Sequence, residues 1–238
     1  EKIVFWGGLT LAAENEGVGL FNMELRAFKS LGGEIRYRTE FKSLNTSNGK
    51  ITGVTLTSGD ELKAKAIILA CGGFESSATL RSKFLGLEWA SAKVRGTPNN
   101  TGDGLIAAWD LGAQRYGRFN GCHATPMDYF MKDYGNLSIP HGERKNYRKI
   151  CYFLGVMLNE HGLRFLDEGV DFRNYTYAQF GQAILKEPGK RAWQIFDSKV
   201  FDLLYSEYEF SDAHYEEADS LAELFQKGDG LDSLTAMK

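Results

Sequence analysis

A chain of 238 residues, 43% hydrophobic and 25% charged, has room for one large or two small domains and is neither a disordered nor a fibrous polypeptide. Its 28 Lys and Arg against 31 Asp and Glu leave a formal charge of −3, so no net basic field is available to hold a nucleic acid. Phe21, Leu25 and Phe28, widened by Leu20, Met23 and Leu31, predict a helix over residues 18–31 that Gly32-Gly33 stops. The hydrophobic period then falls to two. Residues 34–38 alternate with Ile35 and Tyr37 on one face, and residues 51–57 are rich in β-branched side chains. Asn48-Gly49 is a hairpin turn signal, and Ser58-Gly59-Asp60 makes the next turn. The unbroken apolar run at residues 66–70, AIILA, reads as a strand covered on both faces, as in a parallel sheet. It ends in Cys71-Gly72-Gly73-Phe74, and open α/β sheets place ligands at such strand ends, where glycine lets the backbone come close.

Ser76 or Ser77 caps a short helix that runs to Phe84 and closes at Gly86. The segment Asn99-Asn100-Thr101-Gly102-Asp103-Gly104 leads into a helix over residues 105–111 stopped by Gly112. Thr101 is its expected N-cap, and the N–H groups of its first turn suit an anion or the polar edge of a cofactor. From Arg118 the sequence becomes irregular, carrying His123, Pro126, Pro140, His141 and a basic cluster at Arg144, Lys145, Arg148 and Lys149. A strand over 152–158, a turn at Asn159-Glu160-His161-Gly162 and a helix over 174–186 ending at Pro188-Gly189 follow. A short strand over 193–196 and a helix over 219–227 complete the order, with a domain boundary expected near residue 117.

Cys71, Cys122 and Cys151 form no CxxC pair, which argues against a disulfide framework or zinc knuckle and suits a reducing cytoplasm. Cys71 reads as a small buried residue. The apolar stretch at residues 3–13 is shorter than the ~20 residues that span a bilayer, and it lacks the flanks of a signal peptide. Glu1 at the start and LDSLTAMK at the end, one turn of an unfinished amphipathic helix, read as the edges of a piece of something longer. No Walker-type loop, HExxH pair, GxSxG elbow or metal-spaced cluster is present, and Gly17-Val18-Gly19 lacks the third glycine and the preceding strand of a dinucleotide fingerprint. Composition and spacing alone give a soluble α/β or α+β chain with one ligand edge at Gly72-Gly73.

The stretches AIILACGGF, RSKFLG and NTGDGLIAAWDLGA resemble the fumarate reductase/succinate dehydrogenase family of flavoproteins, and the resemblance continues through His123, NEHGLRFLDEG and Arg173 over nearly the whole chain. It implies an α/β FAD domain of the two-dinucleotide-fold kind interrupted by a mobile α+β capping domain. Residues 1–117 would be the later part of the FAD domain's first segment and 118–238 most of the cap. The family's amino-terminal GxGxxG segment and its carboxyl-terminal substrate segment would lie outside the chain, so the isolated stretch is expected to bind FAD weakly or not at all.

The same resemblance implies that Gly72 and Gly73 abut FAD and that Asp103 bonds toward it, with Thr101 and Gly102 shaping the loop. His123 would hold a substrate carboxylate, and Arg173, after the Asp167-Glu168 pair, would transfer the proton. Within the family, KVRGTPNNTGDG, GCHATP, DEGVDFRNYTYAQFGQAIL and AWQIFD are most similar to members that oxidise the polycarboxylate tricarballylate to cis-aconitate. Such a reaction removes one proton and passes a hydride to flavin N5, with FAD doing the redox work while arginines grip the carboxylates. The fumarate reductases carry a Glu and an Arg just before the strand equivalent to 152–158. Here the segment is Arg148-Lys149-Ile150-Cys151, a basic pair that suits a third carboxylate. Glu143, Arg144 and Arg95 are further candidates.

Each residue also has an ordinary structural reading: a helix-start arginine paired with Asp167, Glu168 or Asp171, a loop histidine, a solvated charge run, a first-turn aspartate. An unsaturated-acid reductase on the same scaffold, working with an electron-transfer protein, is the second enzymatic reading. A non-catalytic binding module that keeps the cap is the third, favoured if the gene encodes no FAD-binding βαβ unit.

Overall fold

The computed structural model describes residues 13–210 and 212–227. The apolar stretch at residues 3–12 and the closing LDSLTAMK lie outside the described residues. The chain divides between Ile67 and Ile68 into two compact units.

In the first unit, helix α1 (Glu16–Ser30) takes the predicted apolar stripe, and Gly17-Val18-Gly19 falls in its opening turns. At its end Gly33 donates to the Phe28 carbonyl at 3.0 Å, while Gly32 sits at φ +83°. Residues 34–38 form no strand, because Arg38 turns the chain into the left-handed region at φ +53° and breaks the extended run. Pairing starts instead at β1 (Phe41–Ser47), which lies antiparallel to β2 (Lys50–Leu56). Between them Asn48 and Gly49 both have positive φ, 50° and 74°, the conformation that matches hairpin twist. After the Ser58-Gly59-Asp60 turn, β3 (Glu61–Lys63) pairs with β2 to close a three-stranded meander in the order β1-β2-β3.

The apolar run 66–70 departs from expectation. It forms no strand, and Ile68 is 90% exposed. A strand of a parallel sheet is held only by neighbours on its edges and helices on its faces. Among the described residues none pairs with this one.

The second unit opens with α2 (Ala78–Phe84), capped by Ser77, whose Oγ accepts from the Leu80 N–H at 3.3 Å. Helix α3 (Asp103–Asp110) ends at Gly112, φ +87°. Phe74, Phe84, Trp109 and Phe119 meet with ring centroids 5.5 to 5.8 Å apart and fasten α2 to α3, and the Arg115 guanidinium lies 4.4 Å from the Trp109 ring. Farther along, β4 (Val156–Leu158) pairs antiparallel with β5 (Trp193–Ile195), and α4 (Arg173–Lys186) packs beside them. The predicted strand over 152–158 is therefore shorter, its first three residues forming a 3₁₀ turn.

The core here is Ile150, Tyr152, Met157 and Phe180, each under 4% exposed. Removing such a side chain from water stabilises the fold by roughly 1.5–3 kcal/mol. Helix α5 (Leu221–Lys227) adds Phe225 against Leu158. No helix among the described residues is long and apolar enough to cross a membrane.

Candidate active site

Two groups of side chains in the second unit gather the residues singled out in the sequence. The first is built on the segment leaving the 66–70 run and on the loop before α3. Gly72 adopts φ +78°, and a Cβ there would lie 2.7 Å from Asn100 Oδ1, so the two segments touch at a position only glycine fills. Ser76 N–H donates to the Asn100 carbonyl at 2.9 Å, and the Ser76 hydroxyl donates to the Thr97 carbonyl. The N-cap of α3 is Gly102 rather than Thr101, in a left-handed conformation that the threonine's Cβ branch disfavours. Thr101 instead donates its hydroxyl to Asp103, the first residue of the helix. Cys71 is exposed, not buried, because the run that leads to it is uncovered. Gly72, Gly73, Thr101, Gly102 and Asp103 thus come together, with Gly102 buried and Asp103 open to solvent at the helix start.

The second group is organised by α4. Arg173 is its first residue, half-buried, with its guanidinium 5.7 Å from the Tyr205 ring and donating to the Tyr205 hydroxyl at 3.3 Å. Beneath it the buried Tyr152 hydroxyl donates to the Arg173 carbonyl at 3.3 Å and meets Thr176 Oγ1 at 2.7 Å, which fixes the helix start. One turn on, the Tyr177 ring meets that of His123 edge to face at 4.9 Å. The loop bearing His123 lies on the helix at Gly181, where a Cβ would stand 2.4 Å from the Ala124 carbonyl group, and Gln182 Nε2 donates to the Cys122 carbonyl at 2.9 Å. Arg173 thus opens α4, and the His123 loop lies along the same helix from Tyr177 to Gln182.

Arg148 and Lys149 are engaged by carboxylates. Arg148 donates twice to Glu207 Oε1, at 3.1 and 2.6 Å. Lys149 Nζ donates to the Glu207 carbonyl at 2.9 Å, lies 3.6 Å from Asp128 Oδ2, and sits 4.6 Å from the Tyr208 ring centroid. Burial lowers the Lys149 ammonium from its ordinary pKa, while Asp128 and Glu207 pull it back up. Burial likewise lifts the nearby Cys151 thiol to about 11, which favours its protonated form. Of the other candidates, Arg144 donates to the Ile139 and Tyr134 carbonyls and Arg95 to Asn146.

A trough of about 1910 Å³ runs along this unit, with Glu75, Cys122, His123, Asp128, Lys149 and Tyr208 among its walls. Arg173 and Arg148 are not among its lining residues. No local pattern points to Tyr205, Glu207 or Asp128, whose partners Arg173, Arg148 and Lys149 lie far along the chain. From the second group the trough takes His123 and Lys149, and none of Gly72, Gly73, Thr101, Gly102 or Asp103 lines it. Burial pushes the Cys122 thiol up, and the neighbouring charge of Glu75 adds to the rise.

Residues 10–227 match the family described as an FAD binding domain. The chain is 28% identical over 188 residues to the vinyl phenol reductase of Lactiplantibacillus plantarum, covering 76% of this chain and 36% of that protein. It is 27% identical over 184 residues to the 3-oxosteroid 1-dehydrogenase of Mycobacterium tuberculosis, covering 72% and 31%. In fold it is similar to the open conformation of a flavocytochrome c3 fumarate reductase, with a TM-score of 0.60 at 22% identity over 81% of this chain and 32% of that one. The chain spans about a third of the length of these relatives.

Proposed function

The chain belongs to the FAD binding domain family, and we propose that it works in an FAD-dependent oxidoreductase that acts on a carbon–carbon bond of a polycarboxylate, with residues 1–117 on the flavin side and 118–238 in the cap. Dehydrogenases and reductases stand side by side among its relatives, which supports this reaction class. FAD is the family's cofactor, and the first group of residues fits it. Gly72 and Gly102, at positive φ, let their segments close on Asn100 and on Phe74 where a Cβ would collide, and Thr101 orients the Asp103 carboxylate at the head of α3. When bound, FAD supplies the two-electron chemistry, taking up the hydride at N5.

The observation that carries the proposal is that Arg173 and the His123 loop are both held on α4, Arg173 at its first turn and the loop from Tyr177 to Gln182. The Arg173 fork binds a substrate carboxylate, and its Nη groups stand ready to exchange the proton that leaves carbon. An arginine does not give up its proton unaided. The Tyr205 hydroxyl at 3.3 Å is the neighbour through which that proton passes on. His123 holds a second carboxylate. Arg148 and Lys149 serve a third by exchanging Glu207 and Asp128 for substrate. Tricarballylate oxidised to cis-aconitate is the substrate that uses all three positions, and tricarballylate dehydrogenase is the activity that this reading names. An electron-transfer protein would reoxidise the flavin, and the free cysteines suit a cytoplasmic setting.

The fold shared with a fumarate reductase favours one second reading, an unsaturated-acid reductase. The two are separated by anaerobic mixing of the full-length protein with each acid. Tricarballylate is expected to bleach the oxidised flavin faster than succinate, and equal or reversed rates overturn the polycarboxylate assignment in favour of the reductase.

A further inference from the structure

The two flavin-side segments come from positions about thirty residues apart, and a clasp of three side chains joins them. Asn100 Nδ2 donates to Glu75 Oε1, while the Asn100 carbonyl takes the Ser76 N–H at 2.9 Å. Behind Glu75 the Arg81 side chain, 6% exposed, donates to the Glu75 carbonyl. Three further donors go to the carbonyls of Trp89 at 2.8 Å, Ala90 at 2.9 Å and Ala92 at 3.1 Å. A guanidinium buried on four carbonyls is expensive to desolvate and holds only in one arrangement of the chain around it. It therefore fixes the backbone at Glu75, and Glu75 passes that fix to Asn100 through one charge-assisted bond. Asn100 in turn abuts Gly72 on one side and precedes Thr101-Gly102-Asp103 on the other.

We infer that Glu75 and Asn100, anchored by Arg81, are positioning residues for FAD: their hydrogen bond sets the spacing between Gly72-Gly73 and the Thr101–Asp103 loop. The inference rests on those two segments facing the flavin. It predicts that the bond between residues 75 and 100 matters to the cofactor through its polarity, which a merely space-filling pair would not show.

The test is FAD titration of the full-length apoprotein, followed by flavin fluorescence. Asn100→Asp sets one carboxylate against another and is expected to weaken FAD binding about tenfold or more near pH 8, with recovery near pH 5 as the pair takes up a proton. Glu75→Gln combined with Asn100→Asp rebuilds the bond with donor and acceptor exchanged and is expected to return affinity to within about threefold of wild type. Glu75→Leu, which removes the acceptor without adding charge, is the second variant should Asn100→Asp fail to fold; it is expected to weaken FAD binding about tenfold. Wild-type affinity in Asn100→Asp or Glu75→Leu, or a double variant no tighter than Asn100→Asp, overturns the clasp. A wild-type protein that binds no FAD would instead overturn the flavin reading beneath it.

Discussion

The loops from Cys71 to Asp103 and the cluster from His123 to Tyr208 hold their candidate residues by different means. In the first, backbone is tied to backbone: glycines pass close to neighbouring atoms, and a buried guanidinium collects carbonyls. In the second, side chains stand on an aromatic and aliphatic core, with Phe180 of α4 packed over Ile150, Tyr152 and Met157. The difference sets what each can do. Backbone ties give a fixed edge that suits a large planar cofactor. A packed core supports cations whose availability depends on their partners, and there Arg148 and Arg173 part company. Arg148 spends two donors on the Glu207 carboxylate, 9% exposed, whereas Arg173 donates to a phenol. A buried carboxylate ties a guanidinium more firmly than a phenol hydroxyl does, so the Glu207 bond holds Arg148 more tightly than the Tyr205 bond holds Arg173.

The strongest way to break that contrast is Arg173→Ala in the full-length protein. Turnover is expected to fall by about 10²–10⁴-fold, the range for loss of a positioned proton-transfer group, with the visible spectrum of bound flavin and the unfolding midpoint unchanged. Turnover within tenfold of wild type would return Arg173 to an ordinary helix-start role.

Glu207→Ala tests the other half. Loss of the charged acceptor for Arg148 is expected to cost about 1.5–3 kcal/mol in urea unfolding, since a hydrogen bond to a charged group disappears and a half-buried cation is left behind. Glu207→Gln, which keeps one oxygen for Arg148, should lose less. Unchanged stability in Glu207→Ala would show Arg148 to be held by something other than this pair and would remove the distinction between the two arginines.

How much of this was legible in the sequence follows from the range of the forces involved. Helix α4, the Asn48-Gly49 hairpin and the Ser77 cap were readable because each depends on residues within a turn of one another. The run at 66–70 forms no strand because its apolar side chains call for burial without specifying the partner that provides it, and Arg38 ends the alternation at 34–38 through one backbone angle. In the site, the Gly-Gly turn and the TGDG loop were visible through resemblance, and the structure sets them side by side. Glu207 lies fifty-nine positions from Arg148, and Tyr205 thirty-two from Arg173, so no local pattern announces either pair. The available signal for the Glu75–Asn100 clasp was the glutamate directly after Gly-Gly-Phe and the asparagine directly before Thr-Gly-Asp-Gly, polar residues flanking both halves of one ligand edge.

The smallest expected effect belongs to a surface triad at the margin of the second cluster, where charge pairs are exposed and screened. Tyr147 donates its hydroxyl to Asp212 Oδ2 at 2.5 Å, and Lys145 donates to the other oxygen at 2.7 Å. The bond to Asp212 pushes the Tyr147 phenol up to about 12, and Lys145, together with that same bond, holds the Asp212 carboxyl below its ordinary range. For the raised phenol the stabilisation is complete below its ordinary pKa of 10.0 and is lost as pH climbs through about 12. For the lowered carboxyl it is complete above the ordinary 3.8 and is lost as pH falls. Asp212→Asn removes the negative charge that restrains the phenol, so a tyrosinate absorbance titration of the native protein is expected to show one tyrosine ionising nearer 10.0 than in wild type. The unfolding midpoint at neutral pH should scarcely move, because an exposed pair is screened by solvent and contributes little. Superimposable titrations of the two proteins would show that the Tyr147 bond is not kept in solution, and would mark the rim of this cluster as looser than its core.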